Sequence, residues 1–109
     1  MPESNERGAL TEGVFYILLS LFKPGHGYWI MQNVKELSKG RVILGAGTLY
    51  GAINTMLEKK WIESVPGERD SRKKEYQITK EGTEILKKEI SRLEELIENG
   101  RNIFGGKVL

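Results

Sequence analysis

Cysteine is absent from this chain, and histidine occurs once, at His26. A disulfide framework, a thiolate metal site and a paired-histidine metal site are therefore excluded. Long apolar runs are missing too: the longest, Val14 to Leu19, has six residues, against the roughly 20 needed to span a bilayer. No charged segment leading into an apolar stretch opens the sequence, so no secretory leader is read. A reducing, cytoplasmic setting without a membrane partner is the expectation. The serines lack a credible base, since His26 stands in a Pro-Gly-His-Gly turn with no catalytic motif around it. A glycine-rich stretch at 45–51 lacks the lysine of a phosphate-binding loop. No enzyme and no cofactor are expected. A strong excess of one charge is lacking as well, with 17 basic and 15 acidic residues giving +2.

The distribution of charge is more telling than its total. Residues 69–74, Arg-Asp-Ser-Arg-Lys-Lys, hold four basic side chains and one acid. Residues 81–109 reverse the balance, with five basic and six acidic. A local basic knot in a near-neutral chain reads either as a solvated turn or as a contact for a polyanion. At 109 residues the chain makes one small domain with a modest core, so help from a second subunit is expected.

Periodicity divides the chain. Residues 1–9 form a polar tail, expected to be frayed. A helix begins at Leu10 or Thr11, carries Val14, Phe15, Tyr16, Ile17, Leu18, Leu19, Leu21 and Phe22, and stops before Pro24-Gly25. Its apolar residues cover more than one stripe, which predicts burial on two sides. A second helix spans about Gly27 to Leu37, with Tyr28, Ile30, Met31, Val34 and Leu37 as core candidates and Lys39-Gly40 closing it. A third runs from the glycine-rich stretch to about Lys60. Its inner stripe is Leu49, Ile53, Met56 and Leu57, and Thr48, Gly51, Asn54, Thr55, Glu58 and Lys59 face outward.

The period then shortens to two. Trp61 to Val65 and Lys74 to Ile78 alternate as strands of a hairpin, with Pro66-Gly67 in the turn and the basic knot at the tip. Thr79 is placed to cap a last helix over 80–104, ended by Gly105-Gly106, with residues 105–109 as a frayed tail. Leu86, Ile90, Leu93 and Ile97 step along it by 4, 3 and 4, a coiled-coil spacing. This stripe docks either on the chain's own first helix or on a partner's. A homodimer using Val14, Phe15, Leu18, Leu86, Ile90, Leu93 and Ile97 is the favoured reading. Phe15, Tyr16, Leu19 and Leu93 are then candidates for lining a pocket for a small apolar effector.

Three helices followed by a basic-tipped hairpin form the layout of a winged helix-turn-helix over residues 10–79, mainly α with a small β wing. The order is α-α-α-β-β-α. In such a layout the third helix enters the major groove of double-stranded DNA by its N-terminal part. Thr48, Asn54, Thr55 and Lys59 lie on its outer face, and asparagine suits adenine by its paired donor and acceptor. Arg69, Arg72, Lys73 and Lys74 would lie along phosphates, supplying salt-dependent affinity. Tyr50 packs its ring on the second helix, reaches a phosphate with its hydroxyl, or does both. Tyr28 poses the same choice, and His26 is read as a turn residue. Gly45, Gly47 and Gly51 are unusual around a helix start, and the first two fit a surface where backbone approaches phosphate. Two rivals stay open: a winged-helix protein-interaction module without DNA binding, and a small-molecule carrier using only the dimer cavity.

HGYWIMQNVKEL, GTLYGAINTMLEKKWIES and RKKEYQITKEG together resemble the PadR-like transcriptional regulators. The resemblance rests on His26-Gly27-Tyr28, Gly47-Thr48-Leu49-Tyr50 and Lys74-Glu75-Tyr76-Gln77-Ile78-Thr79, in that order. It implies a homodimeric repressor on a near-palindromic operator, dimerising through its last helix and often answering to small effectors. Two departures stand out. Gly51 occupies a position where the family commonly has proline. Ile90, Leu93 and Ile97 are aliphatic where multidrug-binding relatives stack planar ligands on an aromatic side chain.

Overall fold

In the computed structural model, which describes residues 8–66 and 74–105, the elements are α1 (Glu12–Ser20), α2 (Gly27–Leu37), α3 (Ala46–Glu58), β1 (Ile62–Val65), β2 (Glu75–Ile78) and α4 (Lys80–Phe104). The α-α-α-β-β-α order is the one expected. The starts of α1, α2 and α4 fall where a side chain takes up a free N–H. Thr11 Oγ1 accepts from the Val14 N–H at 3.2 Å and Thr79 Oγ1 from the Gly82 N–H at 3.0 Å. His26 is more than a turn residue: its Nδ1 caps α2 by accepting from the Trp29 N–H at 3.3 Å. At the far end of α2, Lys39 and Gly40 take φ of 55° and 83°, and the Gly40 N–H closes on the Lys35 carbonyl at 2.8 Å.

The core is set by helical spacing. Val14, Ile17, Leu18 and Leu21 of the first helical segment repeat at i, i+3, i+4 and i+7, as do Leu49, Ala52, Ile53 and Met56 on α3. They enclose Ile30 and Val34 of α2, with Ile62, Tyr76 and Leu86 closing the cluster from the hairpin and α4. Each such large apolar side chain stabilises the fold by about 1.5–3 kcal/mol on burial. Because α3 commits this one stripe inward, its opposite face is left outside.

Strands β1 and β2 pair antiparallel, with Ile62 opposite Ile78 and Val65 opposite Glu75. The α1–α2 connection joins them: Gly25 and Tyr76 exchange N–H···O bonds of 3.0 and 2.9 Å, and the Ile78 N–H reaches the Leu21 carbonyl at 2.9 Å. The foot of the wing is thereby locked to the body. Trp61, expected to open the first strand, sits in the bend before it, half-buried, its carbonyl accepting from the Thr79 N–H at 3.0 Å.

Three expectations change. Val14, Leu18 and Leu86 are buried in the chain's own core, so their side chains offer no surface to a second copy. Tyr28 and Leu37, expected inside, are exposed, because the inward stripe of α2 is Ile30 and Val34. The last helix is not set off from the domain at residue 80. Gly82, Leu86 and Glu89 are buried with the body, and the helix leaves it beyond Leu93, where the following residues through Asn99 are exposed. Its 25 residues run about 37 Å at 1.5 Å per residue.

Candidate nucleic-acid interface

The outward face of α3 starts with an uncapped turn. Gly45 is its N-cap and offers no side-chain hydrogen bond, in contrast to the caps of α1, α2 and α4. The first intrahelical bond runs from the Leu49 N–H to the Gly45 carbonyl at 2.9 Å. The N–H groups of Ala46, Gly47 and Thr48 therefore lack acceptors within the helix and point along its positive end. A methyl group built on Gly45, Gly47 or Gly51 would meet nothing of the chain within 4 Å. Nothing in the chain's own packing calls for glycine at these positions.

Tyr50 and Gly27 bring two of the quoted motifs together. A methyl group on Gly27 would collide with the hydroxyl and ring of Tyr50. The tyrosine of the third helix thus lies directly on the start of the second, and glycine at 27 makes room for it. The hydroxyl end of Tyr50 is the part that meets Gly27, while the residue as a whole still exposes 44% of its surface. Behind it, burial and then the neighbouring Tyr50 push the Tyr76 hydroxyl above its ordinary range. Tyr28, 64% exposed, follows Gly27 on the first turn of α2.

Around this centre the other expected residues fall unevenly. Thr48 and Asn54 are exposed on the open face. Thr55 is half-buried, and its hydroxyl already donates to the Gly51 carbonyl at 3.2 Å. Lys59 closes α3 with its ammonium 5.4 Å from the Trp61 ring centre. Lys74 is exposed just before β2, at the loop end of the hairpin. Arg69, Arg72 and Lys73 lie outside the described residues.

A separate locus lies between α1 and α4. Leu10, Phe15, Tyr16 and Leu93 line a cavity of about 270 Å³ together with two ion pairs. Arg41 meets Glu12 at 2.9 Å, and Arg92 grips both oxygens of buried Glu89 at 2.7 and 2.8 Å. The Leu10 N–H adds a third bond to that carboxylate at 3.0 Å, tying the start of the described chain to α4. The Arg92 bonds chiefly hold the Glu89 carboxyl below its ordinary range, against the opposing effect of burial, and the same contact raises Arg92. Leu19 does not join Phe15, Tyr16 and Leu93. It opens into a groove between α1 and α2, beside Phe22, Trp29 and Leu37. Along α4, Ile90, Leu96, Ile97, Ile103 and Phe104 expose apolar surface.

Three helices, a two-stranded wing and an open third-helix start define a winged helix-turn-helix protein. The model of the transcriptional regulator PadR-like family matches residues 14–88. The chain belongs to the PadR-like family of transcriptional regulators. It is similar in structure to a transcriptional regulator from Clostridium thermocellum, with 27% identity, a TM-score of 0.64 and coverage of 90% of this chain and 95% of the other. A PadR family transcription regulator from Clostridium difficile R20291 is 31% identical with a TM-score of 0.60, over 83% of this chain and 96% of that one. A PadR family regulator from Eggerthella lenta shares the fold at 21% identity and a TM-score of 0.65, over 84% and 76%. No curated protein matches. Among the described residues no helix is long and apolar enough to cross a membrane, and no cluster of metal-ligating side chains occurs.

Proposed function

We propose that the protein binds an operator of double-stranded DNA as a homodimer and represses transcription from it. The observation that carries this reading is the start of α3, with unpartnered N–H groups, glycines open to contact and Tyr50 seated on Gly27. A helix end of that kind favours a phosphate, and in this reading exposed Thr48 and Asn54 meet base edges. Tyr28, Gly51, Thr55 and Lys59 flank the same face, and Lys74 with Arg69, Arg72 and Lys73 belongs to the wing's phosphate contact. The apolar surface of α4 beyond Leu93, with Phe15 on α1, supplies the dimer contact. The two-fold symmetry of such a dimer makes the operator palindromic, with half-sites about one turn apart. A small apolar effector bound against Phe15, Tyr16 and Leu93 would shift the spacing of the two α3 helices and lower affinity.

Fluorescence anisotropy with duplex DNA from upstream of the protein's own gene tests this. Binding should weaken steeply as salt rises, and changing Arg72 and Lys73 together to alanine, which removes both cations from each protomer of the dimer, should flatten the salt slope by about four. An unchanged slope would remove the wing from the contact, and no binding at low salt would remove the reading itself.

A further inference from the structure

Ile43 is the most exposed apolar residue outside α4 among the described residues, and the core does not explain it. It lies two positions before the N-cap of α3, with 70% of its surface exposed. Its neighbours turn the other way: Leu44 is buried, and Val42 packs against the core. The loop that carries it is held firmly. Ser38 Oγ accepts from the Val42 N–H at 2.9 Å, the Arg41 N–H bonds the Ser38 carbonyl at 3.1 Å, and the Arg41 side chain meets Glu12 at 2.9 Å. A β-branched side chain on such a loop has few rotamers left to lose on contact. Ile43 precedes the open, exposed start of α3 in the chain, two residues before Gly45 and four before Gly47.

We infer that Ile43 is a specificity residue which reads the 5-methyl group of a thymine at the edge of the major groove. An apolar side chain cannot hydrogen-bond a base edge or a phosphate, and the thymine methyl is the apolar mark that distinguishes one base pair in that groove. The inference rests on the DNA-binding reading, with double-stranded DNA as the partner.

The test uses the full chain and a duplex selected from random sequences by its binding to the wild type. Each thymine is replaced in turn by deoxyuridine, which removes only the methyl group. One thymine in each half-site should respond, with a loss of about fourfold in affinity per methyl. Ile43→Ala, which alters both half-site contacts of the dimer, should bind the thymine duplex about sixteenfold more weakly and become indifferent to that replacement, with an unchanged salt slope. Ile43→Val should retain the discrimination. Matched melting curves for the variants establish that the fold is intact, as expected for an exposed side chain. If deoxyuridine has no effect at any position, or if the discrimination survives in Ile43→Ala, the inference is overturned while DNA binding stands. If the wild type selects no sequence, the DNA-binding reading fails with it.

Discussion

Replacing Gly51 by alanine separates what the fold needs from what a ligand needs. Gly51 is the sixth residue of α3, exposed, and a methyl group there meets nothing within 4 Å. Within the free protein the change should therefore be favourable. Alanine is better than glycine in a helix interior by about 0.8–1.0 kcal/mol, partly because it restricts the unfolded chain. For a domain of this size that raises the melting midpoint by about 4 °C or slightly more. On DNA the sign reverses. A methyl group forced into a close-packed contact costs about 1–3 kcal/mol, so affinity should fall about tenfold or more. Thermal melting followed by circular dichroism and anisotropy on the selected duplex measure both effects in one variant. A more stable variant that binds as tightly as the wild type would refute the idea that glycine is kept at 51 for close approach.

The Gly27→Ala variant should do the opposite to stability, lowering it by about 1–3 kcal/mol as Tyr50 is pushed from its seat; pairing it with Tyr50→Ala should recover part of the loss in denaturant titrations. The carboxyl of Glu89 is held down in the fold, so the unfolded chain takes up its proton more readily. Its contribution is complete above the unfolded value of about 4.3 and is lost as pH falls through the lower folded value. Urea titrations of the wild type should show that acid loss, and Glu89→Gln should be less stable at neutral pH and less sensitive to acid. Replacing Ile97, exposed on α4, by aspartate should shift sedimentation from dimer to monomer while leaving the monomer folded; an unaltered dimer would place the contact elsewhere.

Much of the architecture was legible because it depends on periods and punctuation. The 3.6-residue stripes of α1 and α3, the change to alternation after Trp61, and the Pro24-Gly25 and Lys39-Gly40 breaks located every element. What the stripes did not decide was which apolar residues face inside the chain and which face a partner. Val14, Leu18 and Leu86 have the same character as Phe15, Leu93 and Ile97, and only the packing of α4 against α1 sorts them. Long-range pairings were invisible for a similar reason. Glu89 and Arg92 stand three apart like any exposed helix pair, yet the carboxylate is buried under Leu10, 79 residues away in sequence. His26 as a cap follows a spacing rule usually met with serine or aspartate. The Tyr50–Gly27 contact joins two motifs that the sequence presents separately, and it explains why a glycine follows His26. Leu19 was grouped with Phe15 and Tyr16 by proximity along the helix, but it faces α2.

The start of α3 is where the account is most exposed to test. Amide hydrogen exchange, measured residue by residue with and without the selected duplex, reports directly on the N–H groups of Ala46, Gly47 and Thr48. They should exchange rapidly in the free protein, as first-turn groups without an acceptor, and become protected on DNA. Exchange at these three positions that stays fast in the DNA complex, with protection confined to other elements, would contradict the assignment of α3 as the helix that meets DNA.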